Sequence, residues 1–152
     1  LPLILASKDG RMVLTPQYLV FKMYGANTGD YVLPTVNDSP LYKSSELNMN
    51  IPFIDSSATI TRDGRILYLY LVNRHETEPA YIQTSFRGFK PLKGYMQTVA
   101  GETIESKNTF EDPNAVKIEE GSVKVENGKA AFELKPHSVN IIRLEGESSI
   151  TY

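Results

Sequence analysis

The segment from Ser57 to Asn73 limits the fold more than any other part of the sequence, because it predicts a β-hairpin in a single register. Asp63-Gly64 is a two-residue signal for a type I′ turn, whose central residues both need a positive φ. Reversal of the chain there pairs Ile60 with Leu67, and strand alternation then separates two faces. One face carries Ala58, Ile60, Leu67, Leu69 and Leu71, and the other carries Thr59, Thr61, Ile66, Tyr68, Tyr70 and Val72. The hairpin predicts architecture and indicates no chemistry.

The rest of the chain repeats this pattern of short strands and turns. Asn127-Gly128 predicts a second hairpin, between Val123–Glu126 and Lys129–Leu134. Further strands are expected at Tyr31–Leu33, Leu47–Met49, Ala80–Gly88, Tyr95–Val99, Val116–Ile118 and Val139–Leu144. This spacing predicts an all-β antiparallel sandwich of the jelly-roll or Greek-key type, since uneven strands and loops disfavour a closed barrel. We expect one domain over residues 1–145, followed by a tail over 146–152.

One short N-terminal helix interrupts the strands. Thr15 is a suitable N-cap and Pro16 a suitable first helical residue, and Gly25 is the expected stop. The apolar residues up to Tyr24 surround nearly the whole helix, so it needs cover on all sides. Phe21 and Met23 are about 200° apart at 3.6 residues per turn and cannot face one core. We therefore expect residues 1–24 to be a junction with a partner surface, with Leu1–Ala6 as a buried strand.

Composition excludes several classes of function. The formal net charge is −2 and there is no Cys. A basic surface for nucleic acid or anionic membranes is therefore not indicated, and disulfides and thiol chemistry are ruled out. The longest apolar runs are far shorter than the roughly 18–20 residues of a membrane helix. No leader can be read before Leu1-Pro2, which suggests a fragment of a longer chain and leaves cytoplasm and export both open.

Candidate catalytic or metal-binding residues are few. His75 and His137 have no further ligands at metal-site spacing, so we expect no metal, no cofactor and no catalytic residue in this chain. Glu111-Asp112 and Glu119-Glu120 are adjacent carboxylates, but neighbours in an extended chain point apart. Asn37-Asp38-Ser39 matches a glycosylation acceptor, which the following Pro40 weakens.

Tyr68 and Tyr70 share one face of a strand and could form a platform for stacking sugars. Packing in the core or between sheets is the stronger interpretation, and we expect no tight binding of soluble sugars there.

Four blocks, in order from about residue 3 to 144, resemble a known family. The first two are Met12-Val13-Leu14-Thr15-Pro16-Gln17-Tyr18 with Val20-Phe21-Lys22-Met23-Tyr24, and Asn108-Thr109-Phe110-Glu111-Asp112-Pro113 with Val116. The others are the Ser57–Asn73 hairpin and Leu134-Lys135-Pro136-His137-Ser138-Val139. Together they resemble the C-terminal β-sandwich domain of α-L-arabinofuranosidases of glycoside hydrolase family 51. Lys107 stands where the family has His before Asn-Thr-Phe, which puts any special role of that position in doubt.

The resemblance implies a non-catalytic accessory domain of a retaining enzyme that removes terminal arabinofuranosyl residues from polysaccharides. The acid/base and nucleophile Glu of the family lie in an upstream (β/α)₈ barrel, and no residue here matches either motif. The implied partner is that barrel, with self-association into a homo-oligomer as a further outcome. A stand-alone carbohydrate-binding module is the main alternative, and a structural or protein-interaction sandwich is a more distant one.

Overall fold

A computed structural model describes residues 2–149. In that part of the chain one helix accompanies thirteen strands. The N-terminal elements are β1 (Ile4–Ala6), β2 (Met12–Leu14), α1 (Pro16–Ala26), β3 (Tyr31–Leu33), β4 (Leu41–Ser44) and β5 (Met49–Pro52). The central elements are β6 (Ile54–Ile60), β7 (Ile66–Asn73), β8 (Ala80–Ser85) and β9 (Phe89–Ala100). The C-terminal elements are β10 (Lys117–Gly121), β11 (Lys124–Glu126), β12 (Lys129–Leu134) and β13 (Ser138–Ser148).

Two antiparallel sheets form the sandwich. The larger has six strands in the order β10-β9-β13-β7-β6-β3, and the smaller has three in the order β11-β12-β8. Strand β13 lies between β7 and β9, so neighbours in the sheet are distant in sequence, as in Greek-key connections. Separate two-stranded hairpins are formed by β1-β2 and by β4-β5. The prediction of an all-β antiparallel sandwich with one short helix is confirmed.

The main core lies between the two sheets. The predicted inner face of the central hairpin, from Ala58 to Leu71, is buried there against Phe132 and Leu134 of β12. The paired residues Ile60↔Leu67 and Ala58↔Leu69 match the predicted register. Burial of one complete strand face makes a one-residue slip costly, because every apolar side chain would move to the opposite face.

A second core lies between α1 and the other face of the six-stranded sheet. Met23 of the helix is buried there with Tyr68, Tyr70, Val99, Val116 and Ile141. Strand β7 is therefore covered on both faces, by the smaller sheet on one side and by the helix on the other. This arrangement explains why its sequence is apolar at nearly every position, as in strands buried on both sides.

The turn of the central hairpin differs from the prediction. Only Gly64 has a positive φ, of 70°, and Asp63 does not adopt the conformation that a type I′ turn requires. The Gly64 N–H instead donates to the Thr61 carbonyl at 2.9 Å. The Thr61 hydroxyl donates to the Asp63 carboxylate at 2.6 Å and lowers its pKa. The second hairpin has the predicted geometry, since Asn127 and Gly128 have φ values of 51° and 72°.

Several boundaries also differ. Helix α1 continues through Gly25 to Ala26, and Asn27 is its C-cap. The predicted strand Leu47–Met49 is replaced by the β4-β5 hairpin, which sequence patterning missed. The predicted buried strand at Leu1–Ala6 is wrong over residues 2–6, because β1 pairs with β2 and Ile4 is 44% exposed; Leu1 lies outside the described residues.

Strands β9 and β13 of the larger sheet are longer than predicted. Strand β9 starts at Phe89, and β13 runs through Ser148, so the strand continues into the predicted 146–152 tail. Residues 150–152 lie outside the described part. A register shift after Glu145 pairs Gly146 with Pro91. Pro91 has no N–H to donate, so a bulge is where a strand tolerates it. A Cβ on Gly146 would lie 2.3 Å from the Lys90 carbonyl oxygen, so glycine is needed there.

Candidate functional site

The N-terminal hairpin and the helix are joined through Thr15. Its hydroxyl oxygen accepts a hydrogen bond from the Tyr18 N–H at 3.4 Å, which caps α1 as predicted. The same hydroxyl donates to the Leu3 carbonyl at 2.9 Å. Thr15 therefore holds the segment before β1 and the first turn of the helix together.

Asn108 fastens this junction to the sandwich. Its amide nitrogen donates to the Leu14 carbonyl at 2.8 Å and to the Val116 carbonyl at 2.9 Å. Its amide oxygen accepts from the Val116 N–H at 2.7 Å. The side chain is buried and uses both donors and its acceptor. The Thr-Pro and Asn-Thr-Phe blocks, 93 residues apart from Thr15 to Asn108, therefore meet at one structural joint.

The β1-β2 hairpin has a buried side and an outer apolar face. Val13 is buried, whereas Ile4, Met12 and Leu14 alternate with it and form the outer hairpin face, exposed by 44, 70 and 37%. Ile4 and Leu14 lie directly opposite each other in the pairing, so their side chains share a side. Clustered exposed apolar side chains of this kind mark an interaction surface.

The helix adds one more exposed apolar side chain. Phe21 is 67% exposed, whereas Met23 is 1% exposed, so the two point to opposite sides as expected. Phe21 is the only large apolar residue of α1 that is exposed, since Leu19, Val20 and Tyr24 pack against the second core. The expectation that the helix carries the largest exposed apolar patch is wrong, because more such side chains lie on the β1-β2 hairpin.

Tyr68 and Tyr70 are core residues, each 7% exposed. The Tyr70 ring stacks on Tyr24 with centroids 5.0 Å apart, and its hydroxyl donates to the Asn27 carbonyl at 2.8 Å. Burial of the Tyr24 ring raises the pKa of its own hydroxyl. The interpretation of Tyr68 and Tyr70 as packing residues is confirmed, and their burial excludes the weaker alternative of a stacking platform at these positions.

A groove of about 400 Å³ lies on the six-stranded sheet beyond the C-terminal end of α1. We call this the sheet groove, and its polar or aromatic lining side chains are Asn27, Tyr95, Gln97, Glu120, Ser122 and Arg143. The Arg143 guanidinium lies 5.4 Å from the Tyr95 ring centroid, over its face, and forms an ion pair with Glu145. Burial alone would lower the pKa of Arg143, but bonds to Glu145 and Tyr68 outweigh it and raise that pKa.

Three further sequence candidates, His75, His137 and Glu119, have structural partners. His75 Nδ1 accepts from the Glu78 N–H at 3.0 Å, and its ring lies 4.6 Å from that of Phe53. The ring nitrogens of His137 lie 2.8 and 3.0 Å from the carbonyls of Glu76 and Gly101. The Lys135 ammonium bonds to the Glu119 carboxylate and lowers its pKa.

Within residues 2–149, no group of three or more His, Cys, Asp or Glu side chains is placed to hold a metal ion. The helix in that range is also not long and apolar enough to cross a bilayer.

Sequence patterning did not find the sheet groove. Tyr95 and Arg143 are direct partners in the pairing of β9 with β13, although 48 positions separate them in the chain. Glu120 and Gln97 are likewise partners between β10 and β9. No local signal joins such residues, so only the strand order of the larger sheet reveals the groove.

Comparison with known proteins covers nearly the whole chain. Residues 1–138 match the family model of the α-L-arabinofuranosidase C-terminal domain. An intracellular exo-α-L-arabinofuranosidase of Bacteroides ovatus is 29% identical over 144 residues, which is 93% of this chain and 27% of that protein.

Solved structures agree. The α-L-arabinofuranosidase of Thermotoga maritima superposes with a TM-score of 0.81 at 27% identity, over 93% of this chain and 31% of that one. The GH51 arabinofuranosidase of Xanthomonas axonopodis pv. citri superposes with a TM-score of 0.83 at 26% identity, over 94% of this chain and 28% of that one. The chain thus spans under a third of these relatives, in which a catalytic domain precedes the matching part. It belongs to the α-L-arabinofuranosidase C-terminal domain family.

Proposed function

We propose that this domain packs against the upstream (β/α)₈ catalytic domain of its parent enzyme through the outer hairpin face, with Phe21 as a neighbouring contact. The parent hydrolyses terminal arabinofuranosyl residues of arabinose-containing polysaccharides with retention of configuration. The observation that carries the proposal is the exposed apolar face formed by Ile4, Met12 and Leu14.

The free energy of burying apolar surface favours a partner that covers the outer hairpin face. Met12 is 70% exposed, although its alternating neighbour Val13 is 2% exposed. Full burial of one large apolar side chain is worth roughly 1.5–3 kcal/mol. Three such side chains on a hairpin held to the sandwich by Thr15 and Asn108 provide a rigid docking surface rather than a mobile arm.

The chemistry of a retaining glycoside hydrolase indicates which of the two domains carries the catalytic residues. Retaining hydrolysis needs two carboxyl groups about 5–5.5 Å apart, one of them an acid with a raised pKa. Glu119 shows the opposite electrostatics, because Lys135 lowers its pKa. We assign both catalytic carboxylates to the upstream domain. The role of the present domain is to stabilise the structure of that upstream domain.

The alternative of a stand-alone carbohydrate-binding module was based on Tyr68 and Tyr70, and both are buried. That basis is therefore lost.

The test is a double substitution, Met12→Lys with Leu14→Lys, in the full-length enzyme. We expect a lower melting temperature and faster thermal loss of arabinofuranosidase activity, because the two ammonium groups would have to be buried at the interface. Val32→Lys is the matched control, since Val32 is 82% exposed on β3. The same double substitution in the isolated 152-residue chain should change stability little, because both residues are exposed there. Full-length behaviour equal to the control would overturn the proposal.

A further inference from the structure

We propose that the sheet groove binds a neutral oligosaccharide, with Tyr95 as the stacking ring and with Arg143, Gln97 and Glu120 bonding to sugar hydroxyls. Arabinose as the sugar rests on the proposed function, whereas the presence of a sugar site does not.

The strand register places these side chains in one patch. Tyr95 is opposite Arg143, and Gln97 is opposite Ile141 on one side and Glu120 on the other. Directly opposite residues have Cβ atoms about 4.5–5.5 Å apart on the same face of the sheet. Helix α1 ends at Ala26, so this part of the face remains open beyond it.

The C-terminal end of α1 also fixes one side chain that lines the sheet groove. Asn27 donates from its amide to the Met23 carbonyl at 2.8 Å and to the Gln97 amide oxygen at 3.1 Å. The Gln97 side chain is thereby held with its amide nitrogen available as a donor. A positioned donor avoids the side-chain ordering cost that binding would otherwise incur.

The charges favour a neutral ligand over an ion. The positive charge of Arg143 is matched by Glu145 in an ion pair, and Glu120 supplies a carboxylate to the groove lining. Donors from Arg143 and Gln97 next to the acceptor Glu120 suit hydroxyl groups, which both donate and accept. An anion would meet Glu120, and a cation would meet Arg143.

Tyr95 supplies the apolar surface. Tyr95 is 48% exposed, and the Arg143 guanidinium lies 5.4 Å from its ring centroid. An aromatic ring with convergent polar side chains in a concave site is the arrangement expected of a small-molecule site. Tyr81 is 83% exposed on β8 without lining this groove and is therefore the matched control.

The experiment is a titration of the isotope-labelled 152-residue chain with α-1,5-linked arabino-oligosaccharides, followed by NMR. We expect shifts confined to groove residues and a dissociation constant on the order of 1 mM, as befits a shallow site with one ring. Tyr95→Ala should weaken binding at least about fivefold, and Tyr81→Ala should leave it unchanged. Both variants should retain the dispersed spectrum of the folded chain.

Absence of shifts for the arabino-oligosaccharides and for a xylo-oligosaccharide used as a second probe would overturn the inference. So would binding that persists in Tyr95→Ala, or shifts centred on another surface. If no sugar binds and Tyr95→Ala instead lowers full-length stability as the Met12 and Leu14 substitutions do, the groove is part of the domain interface. That result would refute the sugar site and leave the proposed function intact.

Discussion

Replacement of Asn108 by alanine tests whether the joint between the N-terminal hairpin and the sandwich depends on one side chain. The substitution removes three hydrogen bonds, of 2.7, 2.8 and 2.9 Å. It leaves the N–H and the carbonyl of Val116 without partners, at a residue that is 3% exposed. The Leu14 carbonyl belongs to a partly exposed residue, where water can replace the lost donor.

The magnitude follows from these groups. A buried donor or acceptor left without a partner costs about 1–3 kcal/mol. Two such groups at Val116, with water compensating at Leu14, give an expected loss of about 2–6 kcal/mol. For a domain of this length the melting temperature should fall by about 4–24 °C, since each kcal/mol corresponds to roughly 2–4 °C.

The assay is urea denaturation followed by circular dichroism, with amide hydrogen exchange as the local probe. We expect a lower midpoint at an unchanged m-value, and faster exchange in β2 and α1 than in β7 and β13. Asn114→Ala is the matched control, because Asn114 is an exposed asparagine of the same loop and should change stability by less than about 0.5 kcal/mol. A loss below about 1 kcal/mol for Asn108→Ala, or an equal loss in the control, would refute the reasoning.

Two further predictions concern the isolated chain. Phe21→Ser should reduce any self-association seen by analytical ultracentrifugation and leave the melting temperature nearly unchanged, because Phe21 is 67% exposed; unchanged association would exclude the helix as the contact. The 152-residue chain should not hydrolyse an aryl arabinofuranoside above a buffer control, because we place the required carboxyl pair upstream. Turnover that disappears on mutation of a single Glu of this chain would contradict that assignment.

The joint between the N-terminal hairpin and the sandwich gives a physical reason for the two most specific blocks of the family resemblance. The Thr-Pro block caps the helix through Thr15, and the Asn-Thr-Phe block supplies Asn108, which bonds to the Leu14 carbonyl. Arg11, which directly precedes the first block, also lies over the Phe110 ring of the second block at 5.0 Å. The two most specific motifs therefore describe one piece of structure, which positions the outer hairpin face.

The sequence by itself determined the local features of this protein. The paired strands around Asp63-Gly64 and Asn127-Gly128 and the helix start at Thr15-Pro16 depend on turn chemistry, capping and alternation within a few residues. Only the tertiary structure decided what covers each face. The strand pattern favours packing for Tyr70 without showing what covers it, and the covering group is Tyr24, far earlier in the chain, which stacks on its ring. Tyr95 and Arg143 become neighbours because β13 inserts between β7 and β9. Such pairings depend on strand order, which short-range periodicity does not encode.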